Sequence, residues 1–122
     1  MKKENITRER AVTALRKKQL LENICAYVDA NLENHITLQQ VAAHFQVSIS
    51  TVTQLFQKKT GFTFHQVLTE RRMIAAEKLI RRGISLEEVG KCVGYTDYSS
   101  FYRAFKQTYG VSPREFKKEK EE

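Results

Sequence analysis

The chain contains one pattern written twice. ITLQQVAAHFQVS (36–48) aligns with ISLEEVGKCVGYT (84–96) at an offset of 48, pairing Ile36 with Ile84, Thr37 with Ser85, Leu38 with Leu86 and Val41 with Val89. One inserted residue later the offset is 49, and Val52 falls on Phe101, Phe56 on Phe105, Gly61 on Gly110 and Thr63 on Ser112. Each copy reads as a short helix, a tight turn and a second helix with apolar anchors, which is the helix-turn-helix layout. Any fold for this chain has to build that unit twice.

Helix start signals support the reading. Thr37-Leu-Gln-Gln40, Thr63-Phe-His-Gln66, Ser85-Leu-Glu-Glu88 and Ser112-Pro-Arg-Glu115 each fit the capping box, and Pro113 suits the first helical position. Ser48 and Asp97 are further N-cap candidates. Gly61, Gly83, Gly94 and Gly110 mark helix ends or turns. The pattern predicts helices near 18–32, 38–45, 49–60, 63–81, 86–93, 98–109 and 113–119, about seven in an all-α fold. Residues 1–17 read as an N-terminal extension of the first helix or a linker. Residues 18–62 read as the first helix-turn-helix subdomain, 63–82 as a linker helix, 83–117 as the second subdomain and 118–122 as a charged, disordered tail.

Charge narrows the partners. The formal charge is +7, from 21 Lys and Arg against 14 Asp and Glu. No acid occurs from Asn34 through Thr69, and none between Asp97 and Glu115. A merely solvated basic surface scatters Glu among its Lys. Two acid-free islands point instead to a polyanion. The longest unbroken apolar run, Ile24 to Val28, is too short to cross a bilayer, and MKKENITRER has no apolar segment behind its charges. No membrane partner and no secretory signal are expected. Cys25 and Cys92 lack C-x-x-C spacing, so both are expected to serve as small buried hydrophobes in a reducing, cytoplasmic setting.

The islands contain the second helix of each copy, the element that enters the major groove in such units. Outward positions in the first are Ser50, Thr53, Gln54, Gln57 and Lys58; at offset 49 they become Ser99, Tyr102, Arg103, Lys106 and Gln107. Base edges present donors and acceptors that these side chains read, Arg to guanine and Gln to adenine, whereas a carboxylate meets phosphate repulsion. Lys58, Lys59 and Lys106, with the free N–H groups at helix starts near Ser48, Thr63 and Ser112, suit phosphate contact. Thr37 and Ser85 could join them, although plain capping explains both.

From about Lys18 to Lys117 the chain resembles the DNA-binding domain of the AraC/XylS family of bacterial transcription regulators. The resemblance rests on VAAHFQVSISTVTQLFQKKTGFTFHQVLTERRMIAAEKLI and VGYTDYSSFYRAFKQTYGVSPREF, including Phe56, Gly61, Arg72, Ala76, Gly94, Phe101, Phe105, Gly110 and Pro113. It implies two homeodomain-like, three-helix helix-turn-helix subdomains joined by a long central helix, with recognition helices at 49–60 and 98–109. It further implies base contacts from Ser50, Thr53 and Gln54 in one helix and Ser99, Ser100 and Arg103 in the other, to which the outward position of Tyr102 is added. RNA polymerase is an implied partner, the role more often activation, and the segment is expected to act as a monomer. Gln54 stands where many members carry Arg, and Gly90 where Ala is common.

A 63–81 helix rises about 1.5 Å per residue, roughly 27 Å in all, which suits two recognition helices one duplex turn apart. Because the copies differ, the expected DNA site is asymmetric. Other chemistry finds little footing: His35, His44 and His65 show no H-E-x-x-H spacing, and Cys25, Cys92 and His44 lack zinc-site spacing. No cofactor, metal or enzymatic activity is expected. Two rivals remain, a helical protein-docking module using Tyr95, Tyr98 and Tyr102, and a non-specific nucleic-acid binder.

Overall fold

The computed structural model describes the backbone of residues 2–121 and the side chains of residues 8–119. Among the described residues all regular structure is helical: α1 (Lys2–Ala30), α2 (Leu38–His44), α3 (Ile49–Thr60), α4 (Phe64–Arg81), α5 (Leu86–Cys92), α6 (Tyr98–Tyr109) and α7 (Pro113–Glu121). The repeat in sequence is a repeat in space. α2 and α5 have seven residues each, and α3 and α6 twelve each. Their turns close on equivalent bonds: Val47 N donates to Ala42 O at 3.0 Å, and Tyr95 N to Gly90 O at 2.9 Å. The inserted residue follows that bond, just before the N-cap, where it leaves both helices intact.

Capping explains where the helices begin. Thr37 with Gln40 and Thr63 with Gln66 form complete capping boxes. Glu does half the work that Gln does. Ser85 accepts from Glu88 N at 3.4 Å, and Ser112 Oγ accepts from Glu115 N while donating to that residue's own carboxylate, both at 3.1 Å.

Three local expectations change. α1 is one helix from Lys2 to Ala30 rather than 18–32, because nothing in residues 2–30 is Gly or Pro. α7 likewise continues to Glu121, so most of the charged tail is helical. Cys92, last in α5, is exposed and Cys25 is half-buried, so neither is a fully buried hydrophobe.

Two cores hold the molecule together. Ile24 and Val28 of α1, Val41 of α2 and Val52, Leu55 and Phe56 of α3 meet Phe64 and Leu68 of α4. Met73, Ala76 and Ile80 of α4 meet Val89, Val93, Phe101, Phe105 and Phe116. At 100° per residue, Phe64 and Leu68 are centred about 130° around α4 from Met73, Ala76 and Ile80. α4 therefore carries no single straight apolar stripe. One half of the helix belongs to each core, on differently directed faces, which is how a linker helix spaces two units instead of fusing them.

Candidate nucleic-acid interface

α3 and α6 are anchored by the same device. Their inner faces bury Val52, Leu55 and Phe56, and Phe101 and Phe105. Truncating one such Phe to Ala removes about 3–5 kcal/mol of packing. Each helix ends at a left-handed glycine, Gly61 at φ 78° and Gly110 at φ 77°. Tyr109 at the end of α6 donates to Glu77 Oε2 of α4 at 3.0 Å, and burial, reinforced by that contact, pushes its phenol well above the usual range.

The opposite faces carry the residues singled out by sequence. Ser50, Thr53, Gln54, Lys58 and Lys59 are exposed on α3, as are Ser99, Arg103 and Lys106 on α6. Helical spacing places Ser50, Thr53, Gln54 and Lys58 on one side, with Gln54 Nε2 donating to Ser50 Oγ at 3.3 Å. Ser100 and Tyr102 are half-buried. Tyr102 leans toward Lys106, whose Nζ lies 5.9 Å from the ring centre, so a cation and an aromatic share one patch.

Ser48 and Thr63 are exposed, but their hydroxyls already cap helices: Ser48 Oγ accepts from Thr51 N at 3.0 Å and Thr63 Oγ1 from Gln66 N at 3.1 Å. A phosphate at either start must bind the remaining backbone N–H groups. Asp97 is the N-cap of α6. Its carboxylate accepts from Ser100 N at 2.7 Å, and hydrogen bonding to Ser100, helped by nearby Arg103, holds its carboxyl below the usual range. That carboxylate serves the helix start.

Arg72, one of the residues that carry the family resemblance, has a particular place in the geometry. The guanidinium of Arg72 sits where both units and α4 meet. Its Nη2 donates to the Asn34 carbonyl at 3.2 Å and its Cζ lies 5.6 Å from the Tyr95 ring centre. Burial lowers its pKa, and its Nε has no hydrogen-bond partner among the described residues. Gly94 packs beside it: a Cβ there would run into the Leu32 carbonyl oxygen and come within 2.9 Å of Arg72 Nη2. Arg71 Nη1 donates to Asp29 Oδ2 at 2.6 Å nearby. At this junction atoms far apart in sequence, from the first unit, α4 and the second unit, come together.

A pair of helix-turn-helix units bridged by one helix, each turning an acid-free face outward, defines a bipartite DNA-binding domain of the transcription-regulator class. A family profile described as a helix-turn-helix domain matches residues 41–119. The chain is 34% identical over 107 residues to the transcriptional activator NphR of a Rhodococcus species, covering 86% of this chain and 32% of that protein. It superimposes on the C-terminal domain of AraT, a response regulator from Geobacillus stearothermophilus, with a TM-score of 0.78 at 27% identity, over 81% of this chain and 84% of that one. It also shares its fold with the DNA-binding domain of AdpA, a global transcriptional factor solved in complex with a target DNA: TM-score 0.74, 23% identity, 80% and 88% covered. The chain belongs to the AraC/XylS family, a family of transcriptional regulators rather than enzymes. It spans 24–38% of the length of the curated relatives it matches. Among the described residues no helix is long and apolar enough to cross a membrane.

Proposed function

We propose that the chain reads one asymmetric duplex site as a monomer, with α3 and α6 in successive major grooves on one side of the DNA. The observation that carries the reading is the pairing of two helix-turn-helix units of equal helix lengths with two outward faces that exclude carboxylates in register. Ser50, Thr53 and Gln54 read bases from α3, and Ser99, Ser100, Tyr102 and Arg103 from α6. Lys58, Lys59 and Lys106, with the N–H groups at the helix starts of Ser48 and Thr63, hold phosphates. Likeness to the transcriptional activator NphR supports an activating role; RNA polymerase as a partner, and a cytoplasmic setting, are part of the same proposal. Likeness to AdpA, which was solved on DNA, supports the docking.

The protein-docking alternative loses ground on burial. Tyr95 and Tyr102 are half-buried, and Tyr95 lies between Phe101 and Arg72. Little of the Tyr95 ring is left for a partner, whereas Tyr98 is 37% exposed.

Selection from a random duplex library near physiological salt tests the proposal. Enrichment of two unlike boxes about one helical turn apart is the expected outcome. A single enriched box leaves only one reading helix, and salt-sensitive binding without enrichment identifies a non-specific binder. No binding at all sinks the DNA reading and returns the protein-docking module.

A further inference from the structure

One surface flanking the α3 face gathers cations from two helices. The α1 stripe that buries Ile24 and Val28 continues toward the N-terminus at helical spacing through Leu20 to Lys17, Thr13 and Arg10. There it turns from apolar to basic. The large apolar residues of this half, Val12 and Leu15, lie on the other side, 45% and 65% exposed, while Ala14, Leu20 and Leu55 supply the apolar lining between the cations. A helix packed on protein along this stripe has the reverse arrangement. The stripe faces α3 across an open groove, whose far wall includes Gln54, Lys58 and Lys59.

Arg10, Lys17, Lys58 and Lys59 thus line one groove that holds a single carboxylate, Glu9. Among the described residues none of the four has an ion-pair partner. Like charges gathered without acids repel, and a polyanion relieves that repulsion. The groove opens beside Gln54 and Lys58, on the flank of the helix assigned to the major groove, where a wall of that groove, a phosphate strand, has to pass.

We propose that the α1–α3 groove is a third DNA contact, clasping the phosphate backbone that borders the box read by α3. Arg10 and Lys17 form one wall and Lys58 and Lys59 the other. The inference rests on α3 being a reading helix.

The test compares Arg10→Ala/Lys17→Ala with Arg8→Ala/Lys18→Ala in the whole chain, on a duplex carrying the selected site. The second pair removes equal charge from residues of the same helix that do not line the groove. Each lost phosphate contact flattens the slope of log affinity against log salt by about 0.9. The groove variant is expected to lose one to two such contacts, with the selected sequence unchanged and ethylation interference fading at phosphates beside the α3 box. The control is expected to keep the interference pattern of the unaltered chain. Equal effects of the two variants, or none from the groove variant, overturn the proposal and leave the α3 reading intact. Tighter binding by the groove variant overturns it too, because α1 then obstructs the duplex. If the unaltered chain selects no box for α3, the underlying reading fails first and takes this proposal with it.

Discussion

Gly94 and Arg103 show how differently single residues are constrained. The turn position of Gly94, at φ 98°, is filled in the first unit by Gln46 at φ 57°, so a left-handed backbone alone does not demand glycine. What demands it is the Leu32 carbonyl oxygen, which occupies the space of a Cβ. Gly94→Ala is therefore expected to cost about 2 kcal/mol or more. Gly61→Ala, left-handed but with nothing within 4 Å of the new Cβ, is expected to cost only about 1 kcal/mol. Urea midpoints of the two variants decide: equal losses sink the steric account. Arg103 is exposed and, among the described residues, forms no ion pair, its one influence being on the nearby Asp97 cap, so its truncation is chiefly a binding question. Arg103→Ala is expected to weaken specific binding by about 1–3 kcal/mol and to relax one base position, whereas Lys58→Ala weakens all sequences alike and flattens the salt dependence. Unchanged affinity and motif in Arg103→Ala would remove α6 as a reading helix.

At the scale of the element, the two units are one design with different filling. Buried Ala42 and Val52 of the first correspond to Gly90 and Phe101 of the second. A Cβ on Gly90 would lie 3.2 Å from both Cβ and Cγ of Phe101, so a larger residue on α6 requires a smaller one on α5. Helix propensity alone makes Gly90→Ala stabilising by about 1 kcal/mol. Crowding against a ring root that cannot swing away is expected to outweigh it, for a net loss of about 1 kcal/mol. In a Phe101→Val background the same substitution is expected to become stabilising, and a double-mutant cycle by thermal or urea unfolding measures the coupling. Stabilisation in both backgrounds refutes the pairing. Elements of this kind were readable in advance because their causes are local. Capping hydroxyls, end glycines and the offset of the repeat sit within a few residues of what they determine. The two-faced pattern of α4 was not readable as such, since which side of Leu68 and Met73 is inside depends on where two separate units dock. The groove along α1 escaped for the same reason: Arg10 and Lys17 acquire meaning only beside Lys58 and Lys59.

For the whole molecule the decisive quantity is the relation of the two units, and few interactions hold it. The Arg71–Asp29 pair is short, but its side chains are 34% and 51% exposed, so it contributes about 0–1 kcal/mol. Arg72 is the better candidate for rigidity, because one planar group meets a carbonyl of the first unit and a ring of the second. Its guanidinium lies at the junction, on the Asn34 carbonyl and the Tyr95 ring, rather than inside either apolar cluster, so its loss is expected to leave each unit folded. Arg72→Ala is therefore expected to spare the sequence of each box while letting the spacing between them drift, with weaker binding at the original spacing. Arg72→Lys keeps the charge and loses the flat contact with Tyr95, and is expected to resemble Ala more than the unaltered chain. Library selection with each variant reads the spacing directly. A distribution as narrow as that of the unaltered chain means that α4 and its two faces hold the units by packing alone, and that Arg72 merely fills the junction.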